Sequence, residues 1–178
     1  MKILILMCGI PASGKSTTAH FLQQSIGNAP IVSMDDIREE LFGTRKYQKQ
    51  GGLVYGLSVG KTIRLLQERD VVIYDATNRT RKARKEIVKY IQQRVKCIVY
   101  CVYVATPLDI AKKKKKNRDE DIQVPEAVIH RMFSTLEPPT EEEKYFEKIF
   151  KITPETLDTC GDSWYNVFAN QMKGDLEK

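Results

Sequence analysis

The sequence has 178 residues, 42% of them hydrophobic, and its 29 basic and 23 acidic side chains give a formal net charge of +6. That size suits one compact domain, and no run approaches the ~18 consecutive apolar residues of a transmembrane helix, so we expect a soluble, cytoplasmic protein with no membrane partner. The positive charge favours a polyanionic partner, and four cysteines without CxxC spacing predict reduced, mostly buried thiols rather than a zinc site.

Five apolar runs have the length of β-strands, and helical patterns separate them. The runs are apolar on both faces, which is typical of parallel strands covered by helices on two sides. They lie at residues 3–8, 31–34, 71–74, 97–104 and 149–153. One helix is expected to begin with Thr106 as its N-cap and Pro107 in its first turn. The sequence therefore predicts an α/β fold with a five-stranded parallel sheet at residues 1–155, and a C-terminal appendage at 156–178 packed on the same domain.

The segment between the first predicted strand and the first predicted helix reads GIPASGKS and matches the phosphate-loop pattern GxxxxGK[ST]. Its glycines let backbone N–H groups surround phosphates, and the helix N-terminus adds positive potential. In this pattern Lys15 reaches the β- and γ-phosphates and Ser16 ligates Mg²⁺, so ATP and Mg²⁺ are the expected cofactors. A protein that binds nucleotide without transferring phosphate is the alternative. The residues expected to bind ATP are Gly9, Ala12, Ser13, Gly14, Lys15, Ser16 and Thr17.

A carboxylate and a guanidinium follow the second predicted strand. Asp35 begins a helix, and Arg38 lies one turn later on the same face. Ligands of open parallel sheets bind at the carboxyl ends of the strands, so this pair is expected to face the γ-phosphate. Asp35 would accept the proton of an attacking hydroxyl, and Arg38 would bind an acceptor phosphate. The alternative is that Asp35 or Asp36 only caps the helix. Of the two, Asp36 is better suited to interact with the helix dipole in the first turn, so we choose Asp35 as the candidate base.

The third predicted strand ends in the turn Asp75-Ala76-Thr77-Asn78. An acidic residue at the tip of an apolar strand is the Walker B arrangement, in which Asp75 approaches the magnesium shell or orients Arg38. Thr77 and Asn78 offer short polar groups to an acceptor phosphate. A plain strand-ending turn is the alternative, because Asp and Asn are common turn residues.

Two basic segments complete the pattern. Five lysines at 112–116 precede Arg118, and a lid over the donor phosphates is expected at about residues 112–123. We predict that Arg118 clamps the γ-phosphate, with Lys115 or Lys116 as alternatives, and that most of the lysines are solvated. The second segment begins the helix after the 75–78 turn, and it either follows a nucleic-acid backbone or forms a solvated helix face. Its basic residues are Arg79, Arg81, Lys82, Arg84 and Lys85.

The motifs GIPASGKST, MDDIR and VVIYDATNRT, with a basic lid followed by VPEAVI, resemble the 5′-hydroxyl polynucleotide kinase family within the zeta-toxin-like P-loop kinases. The resemblance covers about residues 1–155, and the second and third motifs are more specific than the phosphate loop. It implies a P-loop NTPase fold of the kinase type, in which Lys15 and Ser16 hold ATP and Mg²⁺. It also implies that Asp35 is the general base, that Arg38 engages the acceptor phosphate with support from Asp75, and that a lid arginine clamps the donor.

The sequence departs from that family in two places. Its lid has one arginine, Arg118, where the family carries several, and no Asp-x-Asp-Gly-Thr phosphatase motif follows. The expected function is transfer of the γ-phosphate of ATP to the 5′-hydroxyl end of RNA or DNA. The alternatives are a kinase of another hydroxyl, such as the seryl group of a charged tRNA or a small metabolite, and a nucleotide-binding, toxin-like module.

Overall fold

The computed structural model describes residues 1–47, 49–116, 124–155, 168–170, 172, 174 and 175, without the side chain of residue 116. The strands are β1 (Lys2–Cys8), β2 (Ile31–Ser33), β3 (Val71–Asp75), β4 (Cys97–Val104) and β5 (Lys148–Ile152). The helices are α1 (Lys15–Ser25), α2 (Met34–Phe42), α3 (Gly51–Glu68), α4 (Arg81–Gln92), α5 (Leu108–Lys116) and α6 (Glu126–Ser134). Each strand begins and ends within one residue of its predicted bounds.

The five strands form one parallel sheet in the order β2-β3-β1-β4-β5. Strand β1 is central, and its Ile5 lies opposite Ile73 on one side and Tyr100 on the other. Helices connect the strands because parallel neighbours require a crossover. This architecture confirms the predicted α/β fold and brings the carboxyl ends of all five strands to one edge.

Alternating residues of β1 pack into two separate hydrophobic cores. Leu4 and Leu6 lie in one core with residues of α3 and α4, and Ile3 and Ile5 lie in the other with residues of α1. Every residue of β1 from 3 to 8 is fully buried. Both faces of the sheet are therefore covered, as the continuous apolar runs predict.

Only part of the predicted appendage lies within the described residues. Phe168 is fully buried against the rings of Tyr100 and Phe150, with centroid distances of 5.9 and 4.7 Å, and the Tyr100 hydroxyl donates to Asp175. The domain boundary at residue 155 stays a prediction, and residues 117–123 of the predicted lid lie outside the described residues.

Two further expectations concern thiols and membranes. The predicted buried, free thiols are confirmed for Cys8, Cys97 and Cys101, while Cys160 falls outside the described residues. Within the described ranges no helix has the length and apolar character needed to cross a bilayer.

Candidate functional site

The loop between β1 and α1 has a backbone that ordinary residues rarely adopt. Gly9, Ala12 and Gly14 have φ angles of +147°, +61° and +102°. A Cβ atom at Gly9 would lie 2.8 Å from the carbonyl oxygen of Val104, so only glycine combines this φ with this close approach. Gly14 immediately precedes α1 and occupies its N-cap position. The loop therefore delivers the chain into the N-terminus of α1, where the helix dipole favours an anion.

Lys15 lies across this loop. Its side chain is nearly buried, with 8% of the residue exposed, and its Nζ donates to the carbonyl oxygen of Ile10 at 2.9 Å. A lysine inside the first turn of α1 thus places its positive charge at the loop and not in solvent. This position fits the predicted contact with the β- and γ-phosphates.

Ser16 and Asp75 bring a hydroxyl and a carboxylate together. The Ser16 hydroxyl donates to Asp75 Oδ2 at 2.8 Å, and Asp75 is 7% exposed. Such hard oxygen ligands suit Mg²⁺, which is commonly bound by one or two protein oxygens together with phosphates and water. The described residues contain no cluster of three or more His, Cys, Asp or Glu side chains that could hold a metal ion. The hydroxyl and carboxylate oxygens of Ser16 and Asp75 fit Mg²⁺ held jointly with a nucleotide. Of the two predicted roles for Asp75, this contact favours the magnesium shell over a bond to Arg38.

Thr106 has a role that differs from the predicted one. It was expected to cap the helix before the lid, but α5 begins at Leu108, and the Thr106 hydroxyl donates to the carbonyl oxygen of Ser13 at 2.7 Å. The hydroxyl of Ser13 itself is fully buried and has no hydrogen-bond partner in the part of the chain that the structure describes. The end of β4 is therefore fastened to the phosphate loop by a side chain whose local sequence suggested only a helix start.

The predicted acceptor pair forms at the start of α2. Arg38 and Asp35 make an ion pair at the i, i+3 spacing, and their side chains are 12% and 64% exposed. Neither aspartate caps the helix, because the Ser33 hydroxyl accepts from the Asp36 amide at 3.2 Å. Asp36 pairs instead with Arg45 at 2.7 Å. Asp35 is therefore left accessible, with Arg38 beside it, while its role as a base stays a prediction.

The turn after β3 is bound to β1. Asn78 is 8% exposed, and its amide Nδ2 donates to the carbonyl oxygen of Met7 at 2.6 Å. The Gly9 amide donates to the Thr77 carbonyl oxygen at 3.1 Å. Asn78 was expected to face the acceptor, but the structure uses its amide to fasten the turn, which leaves the partly exposed Thr77 as the better candidate for acceptor binding.

Arg84 corrects the interpretation of the second basic segment. Instead of contributing to a solvated or nucleic-acid-binding helix face, it is fully buried and makes a bidentate pair with Glu143 at 2.8 and 2.6 Å. Burial opposes the charged form, but the Glu143 hydrogen bond and nearby negative charge raise the pKa of Arg84 above its usual value. Burial would likewise raise the pKa of Glu143, yet hydrogen bonds from Arg84 and Tyr145 lower it. Both groups are therefore held in their charged forms.

The lysine run places one of its members beside the phosphate loop. Lys114 Nζ lies 3.9 Å from the position that a Cβ atom would occupy at Gly14. Lys112 pairs with Glu126 at 2.8 Å, whereas Lys114 has no ion pair within the described part of the chain. The predicted clamp Arg118 and the side chain of Lys116 lie outside the described residues. Lys114 is thus a cation of the described lysine run that lies beside the loop, and a run of identical residues gave no means of selecting it.

Comparisons with known proteins show which family model and which relatives the chain matches. The family model described as an AAA domain matches residues 4–139. The zebrafish (Danio rerio) Protein KTI12 homolog is 26% identical over 159 residues, covering 84% of this chain and 56% of that protein. The chain spans about half the length of the curated relatives that it matches.

Two solved structures share the fold at lower identity. Kti12 of Chaetomium thermophilum in complex with ADP-AlF3 has a TM-score of 0.75 at 15% identity, covering 96% of this chain and 97% of that one. A fungal RNA kinase has a TM-score of 0.65 at 16% identity, covering 84% of this chain and 74% of that one. Likeness at these identities shows a P-loop kinase-like fold, and the acceptor has to be argued from the chemistry of the site.

Proposed function

This chain belongs to the AAA domain family and has a P-loop kinase-like fold, and from that premise we propose that it is an ATP- and Mg²⁺-dependent 5′-hydroxyl polynucleotide kinase. The fold supports a nucleotide-binding phosphotransferase in general terms. The observation that carries the proposal of transfer is the accessible Asp35–Arg38 pair, which follows β2 at the same edge of the sheet as the phosphate loop.

The donor side of the proposed reaction uses side chains that are already held in place. Lys15 and the N-terminus of α1 bind the β- and γ-phosphates, and Ser16 with Asp75 supplies oxygens to a metal. Mg²⁺, when bound with the nucleotide, neutralises the charge that develops on the phosphate oxygens. Lys114 adds a positive charge beside the loop. Because these groups need little rearrangement, they can stabilise the transferring phosphoryl group electrostatically.

On the acceptor side Asp35 and Arg38 divide two tasks. The 5′-hydroxyl oxygen forms a bond to the γ-phosphorus while the bond from that phosphorus to the β,γ-bridging oxygen breaks. The hydroxyl proton passes to the Asp35 carboxylate, and ADP leaves with the electron pair of the broken bond. Arg38 binds the first internucleotide phosphate of the acceptor through its guanidinium, whose buried Nε has no hydrogen-bond partner among the described residues. The products are ADP and a 5′-phosphorylated strand.

Three observations support a polynucleotide as the acceptor. The Asp35/Arg38 and Asp75–Asn78 motifs resemble those of 5′-hydroxyl polynucleotide kinases, the net charge is +6, and the fold is shared with an RNA kinase. A second candidate function is nucleotide binding without transfer to a polynucleotide. The similarity to KTI12 homologs supports it, because Kti12 of Chaetomium thermophilum shares the fold and was solved in complex with ADP-AlF3.

Label transfer from γ-labelled ATP distinguishes the two functions. The purified chain is incubated with Mg²⁺ and 5′-hydroxyl RNA or DNA oligonucleotides, with free nucleosides as competing acceptors and a Lys15→Ala variant as the blank. We expect label on the 5′ end of at least one oligonucleotide and none with the variant. ATP binding without label transfer to any strand type would favour the second function, and a preference for a free nucleoside would identify a kinase of another hydroxyl.

A further inference from the structure

Arg84 is a buried cation directly behind the turn that follows β3. Its Nε and Nη2 donate to the two carboxylate oxygens of Glu143. Its Nη1 donates to the carbonyl oxygens of Asn78, Arg79 and Glu137 at 3.0, 3.3 and 2.8 Å. The planar guanidinium can make the bidentate contact and the carbonyl contacts together, which a lysine cannot do in the same geometry.

The turn that Arg84 contacts contains a residue with a positive φ angle. Asn78 has a φ angle of +43°, in the left-handed region that residues other than glycine adopt uncommonly, although asparagine adopts it more readily than most. Arg84 and the thiol of Cys8 both donate to the Asn78 carbonyl oxygen, and the Asn78 amide donates to Met7. The turn is thereby bound to the last residues of β1, immediately before the phosphate loop.

Asp75 lies at the other end of this same turn. Its carboxylate accepts from Ser16 at 2.8 Å, and Ser16 follows the phosphate loop in α1. Asp75 is the last residue of β3, and the turn begins at it, so the seating of the 75–79 turn against β1 contributes to the separation of these two oxygens. A shift of the turn would move the carboxylate relative to the hydroxyl, and Mg²⁺ tolerates little departure from octahedral geometry.

We infer that Arg84 is a positioning residue that holds the 75–79 turn so that Asp75 and Ser16 can bind Mg²⁺ together with a nucleotide. An effect of Arg84 on phosphate transfer rests on the proposed function. An effect of Arg84 on Mg²⁺-dependent nucleotide binding does not. Glu143 orients the guanidinium from the opposite side, and Tyr145 and the Thr140 amide donate to Glu143. The contrasting explanation is that the Arg84–Glu143 pair stabilises the fold and has no influence on the metal.

The double variant Arg84→Met/Glu143→Met separates these explanations. Replacing both charges avoids a buried, uncompensated ion, and such exchanges often leave stability unchanged. The variant lacks the Nη1 donor to the turn, however. We expect the variant to fold with a lowered unfolding temperature, because the Tyr145 hydroxyl and the Thr140 amide lose their acceptor. Measured below that temperature, the Mg²⁺ concentration for half-maximal binding of a non-hydrolysable ATP analogue should rise at least about tenfold. Isothermal titration calorimetry over a series of Mg²⁺ concentrations measures this midpoint.

Arg81→Met is the matched control, because Arg81 contacts Glu142 of the same segment from the solvent side. It should leave the Mg²⁺ midpoint unchanged. The inference would be overturned if the double variant folds and has the same Mg²⁺ midpoint as the wild type. It would also be overturned if the wild-type protein binds the ATP analogue equally well without Mg²⁺. If the double variant does not fold, Arg84→Lys, which keeps the charge opposite Glu143, must show the raised midpoint or the inference fails. Failure of wild-type label transfer would remove the proposed kinase activity and leave this binding test intact.

Discussion

Two of the arginine–carboxylate pairs near the carboxyl edge of the sheet, Arg84–Glu143 and Arg38–Asp35, differ above all in exposure. In the pair Arg84–Glu143 the side chains are 0% and 1% exposed, whereas in Arg38–Asp35 they are 12% and 64% exposed. Hydrogen bonds from Arg84 and Tyr145 lower the pKa of Glu143. The same pair of functional groups thus occurs once behind the proposed donor site and once on the proposed acceptor side.

Exposure decides what each pair can do. Asp35 is 64% exposed, so water and ligands reach it and its carboxylate can exchange the contact with Arg38 for a substrate group. Glu143 has no such access, and removing one member of a buried pair leaves an uncompensated charge. We conclude that the buried pair is a fixed structural contact and the exposed pair is available for chemistry.

The largest expected effect is the loss of phosphate transfer when Asp35 is replaced, with little change in stability. Asp35→Asn removes the proposed base, so label transfer should fall about 10²- to 10⁴-fold. ATP binding and the free energy of unfolding should change little, because Asp35 itself is 64% exposed and asparagine keeps a side-chain oxygen beside Arg38. Asp36→Asn is the matched control, since Asp36 is adjacent and pairs with Arg45 instead. Full transfer activity in Asp35→Asn would show that another group accepts the proton.

We expect Glu143→Gln to act on stability, in contrast to the effect of Asp35→Asn on phosphate transfer. It leaves Arg84 buried without a charged partner, so the free energy of unfolding should fall by about 3–5 kcal/mol. Chemical denaturation at pH 7 measures the change. Glu142→Gln is the control, because Glu142 is 78% exposed in its pair with Arg81, and it should cost less than about 1 kcal/mol. Equal losses for the two variants would contradict the distinction drawn from burial.

These two pairs also show what a sequence reveals and what it does not. The phosphate loop and the five strands were predicted correctly because glycine spacing and apolar runs act locally. The Asp35–Arg38 pair was predicted because helix geometry alone brings residues i and i+3 together. Arg84 was assigned to an exposed basic cluster, because its burial depends on Glu143, 59 positions away. Contacts that depend on the tertiary fold, including that of Thr106 with Ser13, have no comparable local pattern.

The pH dependence of stability provides a sharper test of the buried pair. Because the folded pKa of Glu143 is lowered, its ionised form stabilises the protein fully above the unfolded pKa of about 4.3, and this contribution is lost as the pH falls through the folded value. The difference in unfolding free energy between wild type and Glu143→Gln should therefore stay constant from pH 7 to about 5.5 and shrink below about 4.3. Subtracting the variant isolates Glu143, since other carboxylates titrate in both proteins. A difference that grows in acid would refute the assigned direction.

The smallest effect concerns Lys114, which lies beside the phosphate loop but has more contact with solvent than Lys15. A charge-assisted contact with a donor phosphate is worth about 1.5 kcal/mol, so Lys114→Met should lower kcat/KM for ATP about tenfold. Lys113→Met is the control, because Lys113 is exposed on the same helix, and it should lower this value less than about twofold. Since one turn of α5 presents several lysines in different directions, equal losses at 113 and 114 would show that only the net charge of the run matters.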